Sequence, residues 1–298
     1  MTNNDLLCRF IFDNMPIRGE FIQLHDSFQS IINQHPYPSA IRRLLGEALC
    51  VAGLLSAIIK FDGRLSVQFR GSGKLKFLLA QSDNQFHLRA LAKWEEEEVS
   101  YEELMESFND GILVITLDSK KSTHQYQGVV PWQGNSLAES IEGYFRNSEQ
   151  LATKLWLSVS ETRAAGFLLQ AIPTSHAATN AMEEQVIDLH WDRIVEATNA
   201  VTEEALLTSS CATVLTNLYP DELIRMFSAV PVVFQCTCSQ KRSEDAILVL
   251  GQEEVEDELK NNRSIVVTCD FCNKQYIFDR VDIAKLFKDR DKPSSNIH

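Results

Sequence analysis

Phe234-Gln235-Cys236-Thr237-Cys238-Ser239 and Val267-Thr268-Cys269-Asp270-Phe271-Cys272 are the two stretches around which the rest of this chain arranges itself. They carry two close-spaced thiol pairs, which together offer four sulfurs to one soft metal ion. Four thiolates match the tetrahedral preference of zinc, and a spacing of two residues lets one tight turn present two sulfurs to the same ion. The expected cofactor is one zinc per chain, held by Cys236, Cys238, Cys269 and Cys272 with sulfur–metal distances of about 2.3 Å. The other pair has a single intervening residue, a less common spacing. An iron–sulfur cluster, a bare dithiol and core cysteines are the competing assignments. Such a metal can simply clasp a small lobe. It can also be a switch, because metal-bound thiolates stay deprotonated, and an oxidant that reaches them forms disulfides and ejects the ion. Zinc contributes on the order of 10 kcal/mol to a small metal lobe, so a lobe with little apolar core unfolds without it.

Residues 232–288 read as that lobe. Strands are expected at Val232–Phe234, Ile247–Leu250 and Ile265–Val267, with an acidic helix from Glu253 to Lys260. The second thiol pair falls in the turn before a strand at Gln275–Phe278. A helix near Val281–Phe287 follows, and the polar tail, 289–298, is expected to be disordered.

Upstream, 177–231 has the pattern of short amphipathic helices. Trp191, Ile194 and Val195 share one face; Leu207, Cys211, Val214, Leu215 and Leu218 recur at helical steps. Pro220 with Asp221 and Glu222 predicts a further helical turn carrying Leu223, Met226 and Phe227. A helix this short hides its apolar stripe only against a neighbour. Two arrangements satisfy that: a subdomain packed permanently on the preceding domain, or a detachable cover. In the second case Trp191, Ile194, Val195, Leu207, Val214, Leu218, Met226 and Phe227 are the candidates to become exposed.

Residues 1–176 predict an α+β domain, mostly antiparallel sheet around one long helix. Leu6–Phe12 and Gly19–Leu24 flank the turn-prone Asp13-Asn14-Met15-Pro16 and predict a hairpin. Pro38 and Ser39 open a helix in which Ile41, Leu44, Leu45, Ala48, Leu49, Ala52, Leu55 and Ile59 recur at steps of three and four. Strands at Leu65–Phe69, Leu75–Ala80 and Phe86–Ala92 form a meander. Further strands are expected at Ile112–Asp118, Tyr126–Val130, Leu155–Val159 and Gly166–Ile172, with a helix from Ser136 to Arg146.

Composition removes several classes of function. A chain of 298 residues that is 44% hydrophobic has enough apolar material for about two domains. Its 28 Lys and Arg against 41 Asp and Glu give a charge of −13, the wrong sign for gripping phosphate backbones, so nucleic acid is not the expected partner. Seven cysteines, an odd number with four in metal spacing, suit a reducing compartment. Cys8, Cys50 and Cys211 lie in apolar surroundings and read as core. Met1–Asp5 shows no basic segment leading into an apolar run, so no secretory signal is expected and the cytoplasm is the default. The most apolar stretch, Leu44–Ile59, is shorter than the roughly 20 residues of a membrane span and is interrupted by Glu47. Gly71-Ser72-Gly73 lacks the further glycine and the helix opening of a dinucleotide site and predicts a tight strand turn. No His-Glu-x-x-His helix is present. Glu95–Glu98, Asp110 and Glu253–Glu258 read as solvated charge, since nothing apolar beside them promises a raised pKa. No catalytic residues are expected.

The chain resembles the thirty-three-kilodalton heat-shock protein family, redox-regulated holdase chaperones of the bacterial cytoplasm. The likeness is carried by Arg18-Gly19, Leu44-Leu45-Gly46-Glu47-Ala48, Gln68-Phe69-Arg70-Gly71-Ser72-Gly73, Tyr126-Gln127-Gly128-Val129-Val130, Ser148-Glu149-Gln150 with Thr153, and both thiol motifs. It implies a reduced form holding zinc through all four cysteines. It further implies that oxidation pairs Cys269 with Cys272 and Cys236 with Cys238, releases zinc, unfolds the linker and exposes surface to unfolding client proteins without consuming ATP. A homodimer of the oxidised form is left open. The alternatives are a zinc-ribbon module binding nucleic acid or a partner protein, for which the acidic Glu253–Glu258 is unsuited, and a dithiol oxidoreductase.

Overall fold

A computed structural model describes residues 5–95, 98–109, 111–119, 126–133, 135–173 and 181–290. Glu96, Glu97, Asp110 and residues 291–298 of the tail expected at 289–298 lie outside the described residues, as do residues 177–180 at the start of the linker; residues 289–290 of that tail instead continue the last helix. The chain divides into two compact units, Met1–Gln235 and Cys236–His298.

In the first unit the hairpin is β1 (Leu6–Phe12) and β2 (Ile17–Leu24). The short α1 (Asp26–Ile32), which the sequence reading did not anticipate, precedes α2 (Ser39–Ile58). Pro38 sits immediately before α2, where its missing N–H costs nothing. The meander is β3 (Gly63–Arg70), β4 (Leu75–Asp83) and β5 (His87–Trp94). Gly71-Ser72-Gly73 makes the β3–β4 turn, closed by the Gly71 N–H on the Lys76 carbonyl. α3 (Tyr101–Glu106) was likewise not anticipated, although Ser100 and Glu103 close a reciprocal capping box at its start. Then come β6 (Ile112–Ser119), β7 (Tyr126–Val130), α4 (Leu137–Tyr144) continued by a π turn over Phe145–Glu149, β8 (Thr153–Val159) and β9 (Ala164–Ala171). The linker forms α5 (Ala181–Thr198), α6 (Glu203–Thr208) and α7 (Cys211–Leu218), followed by three short strands, β10 (Ile224–Met226), β11 (Val230–Pro231) and β12 (Val233–Phe234).

Two sheets result. One has the order β10-β1-β2-β9-β8 with β11 also on β1, and the other the order β12-β5-β4-β3-β6-β7. α2 packs against β2, β8 and β9 of the first and β3, β4 and β5 of the second. It is buried without a break from Leu44 to Ser56, which is why its sequence is apolar nearly all round rather than on one stripe. Glu47 survives there because Arg43 Nε lies 3.1 Å from its carboxylate and the Tyr101 hydroxyl donates to it at 2.6 Å. Gly19 of β2 is required by close approach: a Cβ there would lie 2.1 Å from the Phe10 ring.

The outer face of the first sheet forms a second core. Phe10, Phe12, Phe21, Phe167 and Leu169 pack there beneath Ile194, Leu206, Cys211, Val214, Leu215 and Tyr219 of the linker. The segment after Pro220 corrects the expected helical turn: Ile224–Met226 is a strand, paired antiparallel with Phe10–Phe12. The edge of β1 offers unpaired backbone groups, and pairing satisfies more of them than one isolated helical turn would. Val233–Phe234 is a strand, added in parallel to β5 of the second sheet.

The second unit contains α8 (Gln240–Leu250), α9 (Gln252–Asn261), the hairpin β13 (Ser264–Thr268) and β14 (Gln275–Asp279), and α10 (Arg280–Arg290). The expected strand at Ile247–Leu250 is instead the last turn of α8. Only Ile247 of that apolar run is buried, and Val249 is 88% exposed. The core of this unit is small: Ile247, Val255, Leu259, Phe278, Ile283 and Phe287.

Candidate metal centre

Each thiol pair is set by its own turn. Cys236-Thr237-Cys238 leads directly into α8, whose N-cap Ser239 accepts from the Arg242 N–H at 3.3 Å. Arg242 also reaches back to the Thr237 carbonyl at 2.8 Å and its hydroxyl at 2.7 Å, fixing the short arc between the two cysteines. Cys269–Cys272 lies in the β13–β14 connection. There the Cys269 N–H donates to the Lys274 carbonyl and the Asn273 N–H to the Cys269 carbonyl, both at 2.9 Å. Asn273 has φ +53°, a left-handed conformation that asparagine tolerates better than most residues. It turns the chain back so that both sulfurs face the same side.

The two turns meet. All four sulfurs lie within 4.8 Å of one another, with Cys236–Cys269 at 3.6 Å and Cys238–Cys272 at 3.5 Å. A tetrahedron with metal–sulfur distances of about 2.3 Å has edges of roughly 3.8 Å, so the cluster has the size of a four-thiolate zinc site. The sulfurs are too far apart to be bonded, and all seven cysteines are free thiols. Each of the four is part-exposed, so a small oxidant has access.

The thiols are not equivalent. Burial raises the Cys238 thiol, but a hydrogen bond from the Tyr276 hydroxyl at 3.2 Å and contacts with the other three sulfurs outweigh it and bring Cys238 down to about 7. Burial and the neighbouring sulfurs push Cys272 up to about 12, and burial raises Cys236. Cys238 is therefore more readily ionised than Cys236 and Cys272. Tyr276 was not singled out from sequence. Its alternation with Phe278 marks an inward-facing strand side, but nothing local shows its hydroxyl reaching a sulfur 38 residues away.

Of the linker residues, Ile194 and Val214 are buried under the first sheet, whereas Trp191, Val195, Leu207 and Leu218 are half-buried. Met226 and Phe227 are 40% and 45% exposed. Cys8, Cys50 and Cys211 are buried, and the thiols of Cys8 on β1 and Cys211 at the start of α7 interact.

The family model described as Hsp33 protein matches residues 5–279. The chain belongs to the Hsp33 family. A 33 kDa chaperonin of Pseudomonas aeruginosa is 37% identical over 289 residues, 96% of each chain. The 33 kDa chaperonin of Nitrosococcus oceani is 39% identical over 292 residues, 98% of this chain and 97% of that one. The Hsp33 fold is also seen in the crystal structure of the 33 kDa chaperonin (heat shock protein 33 homolog) of Thermotoga maritima. That structure superposes with a TM-score of 0.81 over 97% of this chain and 99% of its own, at 20% identity. No helix among the described residues is long and apolar enough to cross a membrane.

Proposed function

We propose that this chaperone-family chain is an ATP-independent holdase of the bacterial cytoplasm, switched on by oxidation of Cys236, Cys238, Cys269 and Cys272 and not an enzyme. The observation that carries this is the part-exposed cluster of four unbonded thiols with zinc-sized spacing. Bound zinc would cross-link the two turns and supplement a core of only six buried apolar residues among those described. Peroxide converts two thiolates to one disulfide: two electrons pass to the oxidant, its O–O bond breaks, and with two protons from solvent it leaves as two waters. Two such steps consume all four ligands.

All four sulfurs lie within 4.8 Å of one another, with contacts of 3.6 and 3.5 Å running between the two turns, so proximity in the clustered state does not choose the pairs. Tethering does. Once one turn is oxidised the cross-link is lost, and the partner that stays near each thiol is the one on its own turn. Cys269–Cys272 is the pair expected to close first, because a single intervening residue strains the Cys236–Cys238 ring away from preferred disulfide torsions. Thiol trapping with mass spectrometry along a peroxide time course tests the order; early Cys236–Cys238 would overturn it.

The linker supplies the client surface. α6 and α7 have six and eight residues, too short to persist without tertiary contacts. Lifting them bares both their own apolar face and the aromatic outer face of the first sheet, including Phe10, Phe12, Phe21 and Phe167. An apolar area of that kind suits unfolding proteins. The test is whether peroxide releases zinc and, in the same step, starts suppression of client aggregation. Zinc release without holdase activity would defeat the switch, and full activity of the reduced form would defeat the regulation.

A further inference from the structure

α2 fills the space between the two sheets only as far as Ile58, and the sheets continue beyond it. Past the helix end lies a cavity of 340 Å³. Ile58 and Ile59 from the helix end and Leu117 from β6 give it apolar walls. Its polar groups come from Arg18, Tyr126, Tyr144, Glu149 and Gln170; of these, Arg18, Tyr126 and Glu149 belong to three of the segments that carry the family likeness, and the thiol switch does not use them.

Arg18 on β2 stands opposite Gln170 on β9. Gln170 is 1% exposed and its amide is occupied, accepting from Arg18 Nη2 at 2.5 Å and donating to Thr153 Oγ1 at 2.8 Å. Arg18 is not fully used: its Nε–H is buried with no partner among the described residues. The neighbouring Glu20 carboxyl is raised by burial, which weakens its pairing with the guanidinium. Elsewhere on the cavity wall Glu149 is exposed, with the hydroxyls of Tyr126 and Tyr144 each 2.9 Å from its Oε1. A second negative charge on a ligand would meet that carboxylate.

We infer that this cavity binds a small monocarboxylate with an apolar body, its carboxylate accepting from Arg18 and its hydrocarbon part lying against Ile58, Ile59 and Leu117. At about 30 Å³ per water the space holds roughly ten waters, which sets the ligand near the size of an arylalkanoic acid.

The test is calorimetric titration of the reduced full-length chain with 3-phenylpropionate, using 3-phenylpropanol as neutral analogue and phenylsuccinate as dianion. Saturable one-to-one binding of the monoacid is expected, with both analogues weaker by about tenfold or more, the loss of one charge-assisted hydrogen bond. Arg18→Gln should abolish the preference for acid over alcohol. Arg18→Lys, which keeps the charge without the Nε–H, should retain part of it and decides the matter if the glutamine variant does not fold. Ile59→Trp, at the helix end, should fill the cavity and remove binding of both acid and alcohol. Absence of saturation, an alcohol that binds as tightly as the acid, both arginine variants matching the parent, or undiminished binding by Ile59→Trp would each overturn the proposal.

Discussion

Tyr276 ties the fold of the second unit to its thiol chemistry through one hydroxyl, 3.2 Å from Cys238 Sγ. Outer groups of this kind orient a ligand and tune its basicity, and their loss commonly weakens metal affinity 10–100-fold. Tyr276→Phe is expected to weaken zinc binding by about tenfold with the fold intact, read by competition with a chelator; unchanged affinity would show the contact to be incidental. Glu20 gives a pH signature. Burial raises its carboxyl to about 8, partly offset by Arg18 and Arg9, against an ordinary value of 4.5. Between those values the folded chain keeps a proton that the unfolded chain has released. Its contribution to stability is therefore complete below 4.5 and declines as pH rises to about 8, by up to about 1.4 kcal/mol per unit. Glu20→Gln cannot ionise. It should flatten that decline, with its gain over the parent largest near pH 8, as measured by urea midpoints from pH 5 to 9; parallel profiles would refute the assignment.

Helical segments of this chain answer to two different kinds of support. α2 is enclosed by both sheets, so its apolar residues from Ala40 to Leu55 are core. α7 instead rests Val214 and Leu215, 2% and 3% exposed, on one sheet face. Leu215→Ala should cost about 2–5 kcal/mol locally, as other large-to-small core changes do, and a polar residue more. Leu206→Asn with Leu215→Asn is accordingly expected to loosen α5–α7 while zinc stays bound, and to give holdase activity in the reduced protein. Hydrogen exchange over 181–218 and an aggregation assay check it. Opening without activity would separate the linker from client binding. Leu207 and Leu218, only half-buried, are weaker handles on the same layer. The interacting thiols of Cys8 and Cys211 provide a parallel readout: both should resist alkylation until α7 lifts.

At the scale of the whole molecule, the two units draw on unlike sources of stability. The first has two extensive cores; the second has, among the described residues, six buried apolar side chains and four thiols. Removing zinc from the reduced protein with a strong chelator should therefore abolish protection of amides in 236–290 and leave the cores of 5–173 protected, as hydrogen exchange would show. A second unit that stays protected without metal would mean that its apolar core suffices.

The four-sulfur cluster, the long buried helix and both sheet hairpins were legible in the sequence, because ligand spacing, helical periodicity and turn residues are local signals that need no partner. Where burial had to be inferred, local signals failed in both directions. Ile247-Leu248-Val249-Leu250 has the length and composition of a buried strand, yet Ser239 caps a helix that runs through it and leaves Val249 and Leu250 in solvent. Pro220-Asp221-Glu222 looks like a helix start, but the open edge of β1 recruits Ile224–Met226 as a strand. Whether an apolar run is covered, which edge lacks a partner, and that Tyr276 and Arg18 would meet groups from distant segments depend on contacts made only when the chain is folded. Composition and spacing decided what chemistry this protein carries; long-range packing decided which surfaces hide it.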